Sequence, residues 1–128
     1  MNPFTKIVVV EDEPTSSKLM TYHLKMMGFK NIIEVEDGNS ALEQLKKEKA
    51  DLVIADWHMP NMNGLNLFRA IRQEELWQSI PFLMVTVEKD HEKVQEAIQA
   101  GVRDYIVKPI KGETFKRKVL ELLGLNEA

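Results

Sequence analysis

After its first residue the stretch Lys6–Val10 is wholly apolar and β-branched, the pattern of a strand covered on both faces. Short runs of the same kind return at Ile32–Val35, Asp51–Ala55, Phe82–Val85 and Asp104–Val107, and they predict four more strands. Between these runs the apolar positions change to helical spacing. Met20, Leu24 and Met27 continue a helix that opens near Pro14, where a proline is tolerated because its missing N–H would have no partner. Gly28 stops that helix. Asp37-Gly38 turns the chain, and Ala41, Leu42 and Leu45 mark a second helix ending in lysines, which suit the negative end of a helix dipole. Pro60 and Gly64 punctuate the loop Trp57–Asn63 before a third helix carried by Leu67, Phe68 and Ile71. Val94, Ala97, Ile98 and Gly101 mark the fourth helix; Phe115, Val119, Leu122 and Leu123, with Gly124 beyond, mark the fifth.

Alternating strands and helices with short connections imply an α/β fold: a five-stranded parallel sheet with helices on both faces. In such sheets ligands sit beyond the carboxyl ends of the strands. Four of the apolar runs stop there at a polar residue. Ile7–Val10 runs into Glu11-Asp12, Leu52–Ala55 into Asp56, Phe82–Val85 into Thr86, and Ile106-Val107 into Lys108-Pro109. Parallel neighbours would bring together three carboxylates, a hydroxyl and an ammonium, a set suited to a divalent cation and a phosphoryl group.

The chain has 128 residues, 44% of them hydrophobic and 29% charged, which is one globular domain's worth. We expect residues 1–128 to form a single domain with no output domain. Net charge is −3, and the densest cationic stretches, Lys46–Lys49 and Lys116–Lys118, fall on predicted helices as solvated faces. Nucleic acid is therefore not an expected partner. There are no cysteines, so disulfides, thiolate zinc sites and thiol catalysis are excluded. No apolar stretch reaches membrane-span length and no signal-peptide pattern precedes the first strand. A cytoplasmic, soluble monomer is the expectation.

The acidic run Glu11-Asp12-Glu13 by itself would be an exposed turn, with Asp12 or Glu13 capping the next helix. Asp56 changes that balance, because an acid directly after Leu52–Ala55 is costly to bury unless a cation or donors compensate. Magnesium, which takes few carboxylates together with water and phosphate oxygens, fits better than calcium, since no EF-hand loop occurs. Lys108 would pair with a phosphoryl oxygen or, in its absence, with Asp56; the plainer alternative is a lysine that snorkels off the sheet edge. Its bond to Pro109 is a candidate cis peptide. Other chemistries lack their motifs: there is no dinucleotide or Walker A glycine loop, no nucleophile elbow, and His23, His58 and His91 show no metal-ligand spacing. The methionines, among them Met20, Met26, Met27 and Met84, read as core filler.

The acidic pair after the first strand, Asp56 within Ile54-Ala55-Asp56-Trp57-His58-Met59-Pro60-Asn61-Met62-Asn63-Gly64, Thr86, and Ile106-Val107-Lys108-Pro109 together resemble the response-regulator receiver domain of two-component signalling, most of all the single-domain chemotaxis regulators. The resemblance spans nearly the whole chain and implies the flavodoxin-like strand order 2-1-3-4-5. It implies that Asp56 accepts a phosphoryl group from the phosphohistidine of a histidine kinase. It also implies Mg2+ held by Glu11, Asp12, Asp56 and the backbone carbonyl of His58. Thr86 and Lys108 would bind phosphoryl oxygens. Thr86 and Tyr105 would form the switch that alters the face of the fourth helix, fifth strand and fifth helix, where a downstream target binds. A flagellar motor switch or a phosphatase would be such a partner. The protein would not be an enzyme in the ordinary sense, since it would act only on its own phosphorylation and dephosphorylation.

Glu11 stands where an Asp is more usual, and Val87 follows Thr86 where small residues are common. His58, Val87 and Glu88 occupy positions that tune phosphoryl lifetime in similar proteins, and the bulk of Val87 predicts slow self-dephosphorylation. Competing functions are a phosphorelay intermediate, which also needs Asp56, and a phosphorylation-independent binding module, which does not. An aspartyl phosphohydrolase of the haloacid-dehalogenase pattern would need a second Asp two residues after Asp56, where His58 stands.

Overall fold

The computed structural model describes residues 4–125. Its strands are β1 (Lys6–Val10), β2 (Asn31–Val35), β3 (Leu52–Ala55), β4 (Phe82–Thr86) and β5 (Tyr105–Val107), and its helices are α1 (Pro14–Met26), α2 (Gly38–Lys47), α3 (Gly64–Gln73), α4 (His91–Ala100) and α5 (Gly112–Leu122). All strand pairs are parallel and the sheet order is β2-β1-β3-β4-β5. The chain winds one way from β1 to β2 and the other way from β3 onward. The winding therefore reverses between β1 and β3, where ligands of doubly wound sheets bind.

The two-residue period of the strands divides the core. Ile7, Val9, Leu52, Ile54, Leu83 and Val85 face one side, against Met20 and Leu24 of α1 and Phe115 and Val119 of α5. Val8, Val10, Val53, Ala55, Phe82 and Met84 face the other, against Ala41 and Leu45 of α2, Leu65, Leu67, Phe68 and Ile71 of α3, and Ala97 of α4. Both faces of β1, β3 and β4 are covered, which is why these strands read as unbroken apolar runs. Cutting Ile54 or Leu83 back to Ala would cost about 2–5 kcal/mol.

Several expectations need adjustment. Met26 is 71% exposed and is not core filler. On α1 the core stripe runs through Met20 and Leu24 with Met27 partly buried, and Met26 lies on the outer side with Leu19 and Tyr22. Of the positions that mark the fourth helix, Ala97 alone is buried in α4, and Ile98 is 54% exposed. A short 3-10 turn, Glu75–Trp77, follows α3 unheralded by any periodicity. It buries Trp77 against the α2–α3 face of the sheet.

Candidate functional site

Register places the site. Val10 of β1 pairs with Ala55 of β3, so the next residues, Glu11 and Asp56, leave the sheet side by side. The ladder reaches just past the strands: the Asp56 N–H donates to Val10 O at 3.2 Å and the Lys108 N–H to Thr86 O at 2.8 Å. Lys108, from the loop after β5, crosses to both acids. Its ammonium donates to Glu11 Oε1 in a close ion pair, to Asp56 Oδ2 at 3.1 Å and to Ser16 Oγ of α1 at 3.1 Å. The Lys108-Pro109 bond is cis. Of the two roles weighed for Lys108, pairing prevails over snorkelling.

The electrostatics are unbalanced. Glu11 and Asp56 are both buried, and one ammonium serves two carboxylates. Burial, aided by the Asp56 charge, raises the Glu11 pKa against the pull of Lys108. Burial works against the Lys108 ammonium, but its hydrogen bonds to Glu11 and Asp56 prevail and its pKa is raised. Asp12 stands exposed at the rim. Glu13 is the residue that caps α1, accepting from Thr15 N and Ser16 N at 3.1 and 2.7 Å; these N–H donors lower its pKa.

This donor set fits magnesium in chemistry: hard carboxylate oxygens, an uncompensated negative charge and an open rim. Among the described residues, however, no three acidic or imidazole groups already stand as a ligand cluster. Lys108 draws the Glu11 and Asp56 oxygens to itself. Ion binding therefore has to compete with the ammonium for them.

The loop after β3 is held by its own geometry. The His58 N–H donates to Asp56 Oδ1 at 3.2 Å. The Gly64 N–H closes the loop onto Trp57 O at 2.8 Å. A Cβ on Gly64 would collide with the Asp56 carbonyl oxygen, so only glycine lets α3 begin this close to the end of β3.

Thr86 is fully buried at the end of β4, and its Oγ1 accepts from Glu88 N at 3.3 Å. The Tyr105 hydroxyl donates to the Glu88 carbonyl at 2.8 Å. The Glu88 carboxylate accepts from His58 Nε2 at 3.0 Å and from Lys93 Nζ at 3.1 Å. Val87 is exposed. With Leu19, Met20, Pro109 and Ile110 it lines an apolar cavity of about 320 Å³ beside Lys108. All nine residues singled out from the sequence thus lie at or next to one end of the sheet. Ser16 and Lys93 were not singled out; Ser16 meets Lys108 only through the fold, 92 residues away, whereas Lys93 pairs with Glu88 just upstream of it.

The chain matches the family model described as response regulator receiver domain over residues 7–120. It belongs to the response regulator receiver family. This receiver is 42% identical over 119 residues to the chemotaxis protein CheY-3 of Vibrio cholerae, covering 93% of this chain and 92% of that one. It is 40% identical over 114 residues to the chemotaxis protein CheY of Pseudomonas aeruginosa, covering 89% and 92%. Among solved structures it resembles the receiver domain of a sensor histidine kinase from Pseudomonas aeruginosa PAO1, described with a magnesium ion coordinated in its active-site cleft. The identity there is 26%, the TM-score 0.86, and the coverage 94% of this chain and 98% of that one. Receivers of this kind are phosphorylation-dependent signalling modules rather than conventional enzymes. Among the described residues no helix is long and apolar enough to cross a membrane.

Proposed function

We propose that this receiver is a phosphorylation-activated switch of the chemotaxis type. It takes a phosphoryl group from the phosphohistidine of a kinase and then changes its affinity for a target protein. The observation that carries this reading is the buried Glu11–Lys108–Asp56 arrangement at the winding reversal, with the Thr86 hydroxyl at the end of the neighbouring strand.

An Asp56 carboxylate oxygen forms the new P–O bond while the P–N bond to the donor imidazole breaks. The imidazole nitrogen leaves with the electron pair and takes up a proton. Glu11, Asp12, Asp56 and the His58 backbone carbonyl would hold a magnesium ion, which when bound would neutralise charge on the transferring oxygens. The remaining work is positioning and electrostatic stabilisation, as in other phosphoryl transfers. Lys108 moves from the carboxylates to a phosphoryl oxygen, and the Thr86 hydroxyl donates to another. Thr86 and Tyr105 both bond to Glu88, so a shift of Thr86 is felt at Tyr105 and at the face of α4, β5 and α5. A local change of charge thereby biases a two-state element.

A relay role is the second reading. It is favoured by the likeness to a receiver that belongs to a sensor histidine kinase. The two separate in a pull-down comparing beryllofluoride-loaded and unloaded protein: a switch gains a non-kinase partner on loading, and a relay does not. A module independent of phosphorylation would bind equally well as Asp56→Ala. Mass spectrometry after acetyl phosphate in magnesium buffer should find one phosphoryl adduct on Asp56. Unmodified protein sampled before hydrolysis, or an adduct elsewhere, defeats the proposal.

A further inference from the structure

At the end of the sheet opposite Asp56, a cleft of about 360 Å³ opens between α3, the start of β4, the end of α4 and the approach to β5. Small-molecule sites begin at about that size. Phe68 and Phe82 line it with Arg72, Gln78, Arg103 and Asp104.

Among the described residues no acid occupies either arginine. The Arg72 guanidinium lies 4.8 Å from the centre of the Phe68 ring, and it donates to Trp77 O at 3.3 Å. That ring is fixed in turn by an edge contact with Phe82 at 5.2 Å. The guanidinium is thus braced, yet most of its five N–H donors remain available. Burial lowers its pKa, as expected of a cation without a counter-charge. Among the described residues neither Arg72 nor Arg103 has a carboxylate partner, whereas the exposed Arg69 has Glu96.

Two features of the cleft would oppose an anion, the Asp104 carboxylate and the carboxyl end of α4, and the first is neutralised and the second partly so. The Asp104 carboxylate is tied to Lys118 at 3.3 Å. Of the four carbonyls in the last turn of α4, those of Ile98 and Ala97 accept from the N–H groups of Gly101 and Val102 at 3.0 and 2.9 Å. The chain as a whole carries −3, so the cleft is a local cationic feature and not part of a general basic surface.

We propose that this cleft is a binding site for a small molecule bearing a phosphate group, clamped between Arg72 and Arg103 with Gln78 at its edge. The planar guanidinium fork matches phosphate oxygens in pairs. Two guanidiniums with no third charge suit a dianion better than a monocarboxylate. The site shares no residue with the phosphoacceptor. Because α4 ends in the cleft, an occupant would brace that helix from the end remote from Thr86.

The test is a titration of isotopically labelled protein with inorganic phosphate, pyrophosphate and acetate, followed by NMR. Pyrophosphate should give saturable shifts at the Gly101 amide and at the Arg72 and Arg103 side chains, with weaker binding of phosphate. Arg103→Gln should weaken pyrophosphate at least about tenfold, one guanidinium–phosphate contact being worth more than 1.4 kcal/mol. Arg103 is the deciding variant because it is exposed and braces nothing, whereas Arg72 also supports Phe68. Asp56→Asn should bind as wild type does. Shifts confined to the neighbours of Lys108, shifts that never saturate, or equal binding by Arg103→Gln would overturn the site. Acetate binding as tightly as pyrophosphate would overturn its assignment to phosphate.

Discussion

The Tyr105 hydroxyl donates to the backbone carbonyl of Glu88 across 2.8 Å, which fastens the half-buried tyrosine to the loop that follows Thr86. Burial, then the charges of Glu88 and Asp56, push the phenol up to about 12. An unfolded chain releases this proton at about 10. Between those values the folded state keeps a proton that the unfolded state has lost, so stability falls as pH rises through that window. Below it the contribution is fully present. NMR at pH 11 should find Tyr105 still largely protonated. In Tyr105→Phe the alkaline decline in stability should be shallower. A phenol already ionised at that pH would contradict the buried hydrogen bond.

Lys93 and His58 share the Glu88 carboxylate at 3.1 and 3.0 Å. Lys93→Met would leave an uncompensated charge beside the route to Asp56. Acetyl phosphate, a dianion, should then phosphorylate the protein about two- to fivefold more slowly, the range set by a partly exposed pair. Phosphoramidate should be less affected. Lys93→Arg, or Glu88→Gln added to Lys93→Met, should restore the rate. Equal slowing with both donors would point to altered structure instead.

One ammonium facing two buried carboxylates leaves charge for a cation to neutralise. Magnesium should therefore raise stability to urea, by about 2.7 kcal/mol at a hundredfold excess over its Kd, and chelation should reverse the gain. Asp56→Asn removes one of the competing charges. It should stabilise the metal-free protein by on the order of 1 kcal/mol and shrink the response to magnesium. A wild-type protein indifferent to magnesium would remove the ion from the mechanism.

Gly64→Ala places a methyl group against the Asp56 carbonyl and near Met84 Sδ. Overpacking of this kind costs about 1–3 kcal/mol, and here it should also slow phosphorylation by displacing the acceptor. Wild-type stability and rate in this variant would show that the loop yields freely.

Val87 is exposed and borders the cavity next to Lys108. If its bulk hinders water at the acyl phosphate, Val87→Ala should shorten the phosphoryl lifetime. An unchanged lifetime, measured by loss of the adduct, would dismiss that role.

The sheet was legible because β1, β3 and β4 are buried on both faces, so each prints an unbroken apolar run. The gathering of Glu11, Asp56 and Thr86 was legible because each of these runs stops at a polar residue at the same end of the sheet. Strand order was not in the pattern; it came with the family resemblance. Met26 misled because residue type alone marks it as core filler; the helical spacing through Met20, Leu24 and Met27 passes it by. The turn at Glu75–Trp77 is too short to show a period. Ser16 acquires its partner across the fold: it lies 92 residues from Lys108, a separation no local motif spans.

The cation that joins the two buried acids arrives late along the polypeptide, 97 residues after Glu11 and 52 after Asp56. During synthesis both acids therefore emerge well before their shared counter-ion. A ribosome-bound chain halted before β5 would display Asp56 without Lys108. Competence to be phosphorylated should then appear abruptly, with the release of β5 and the loop that carries Lys108.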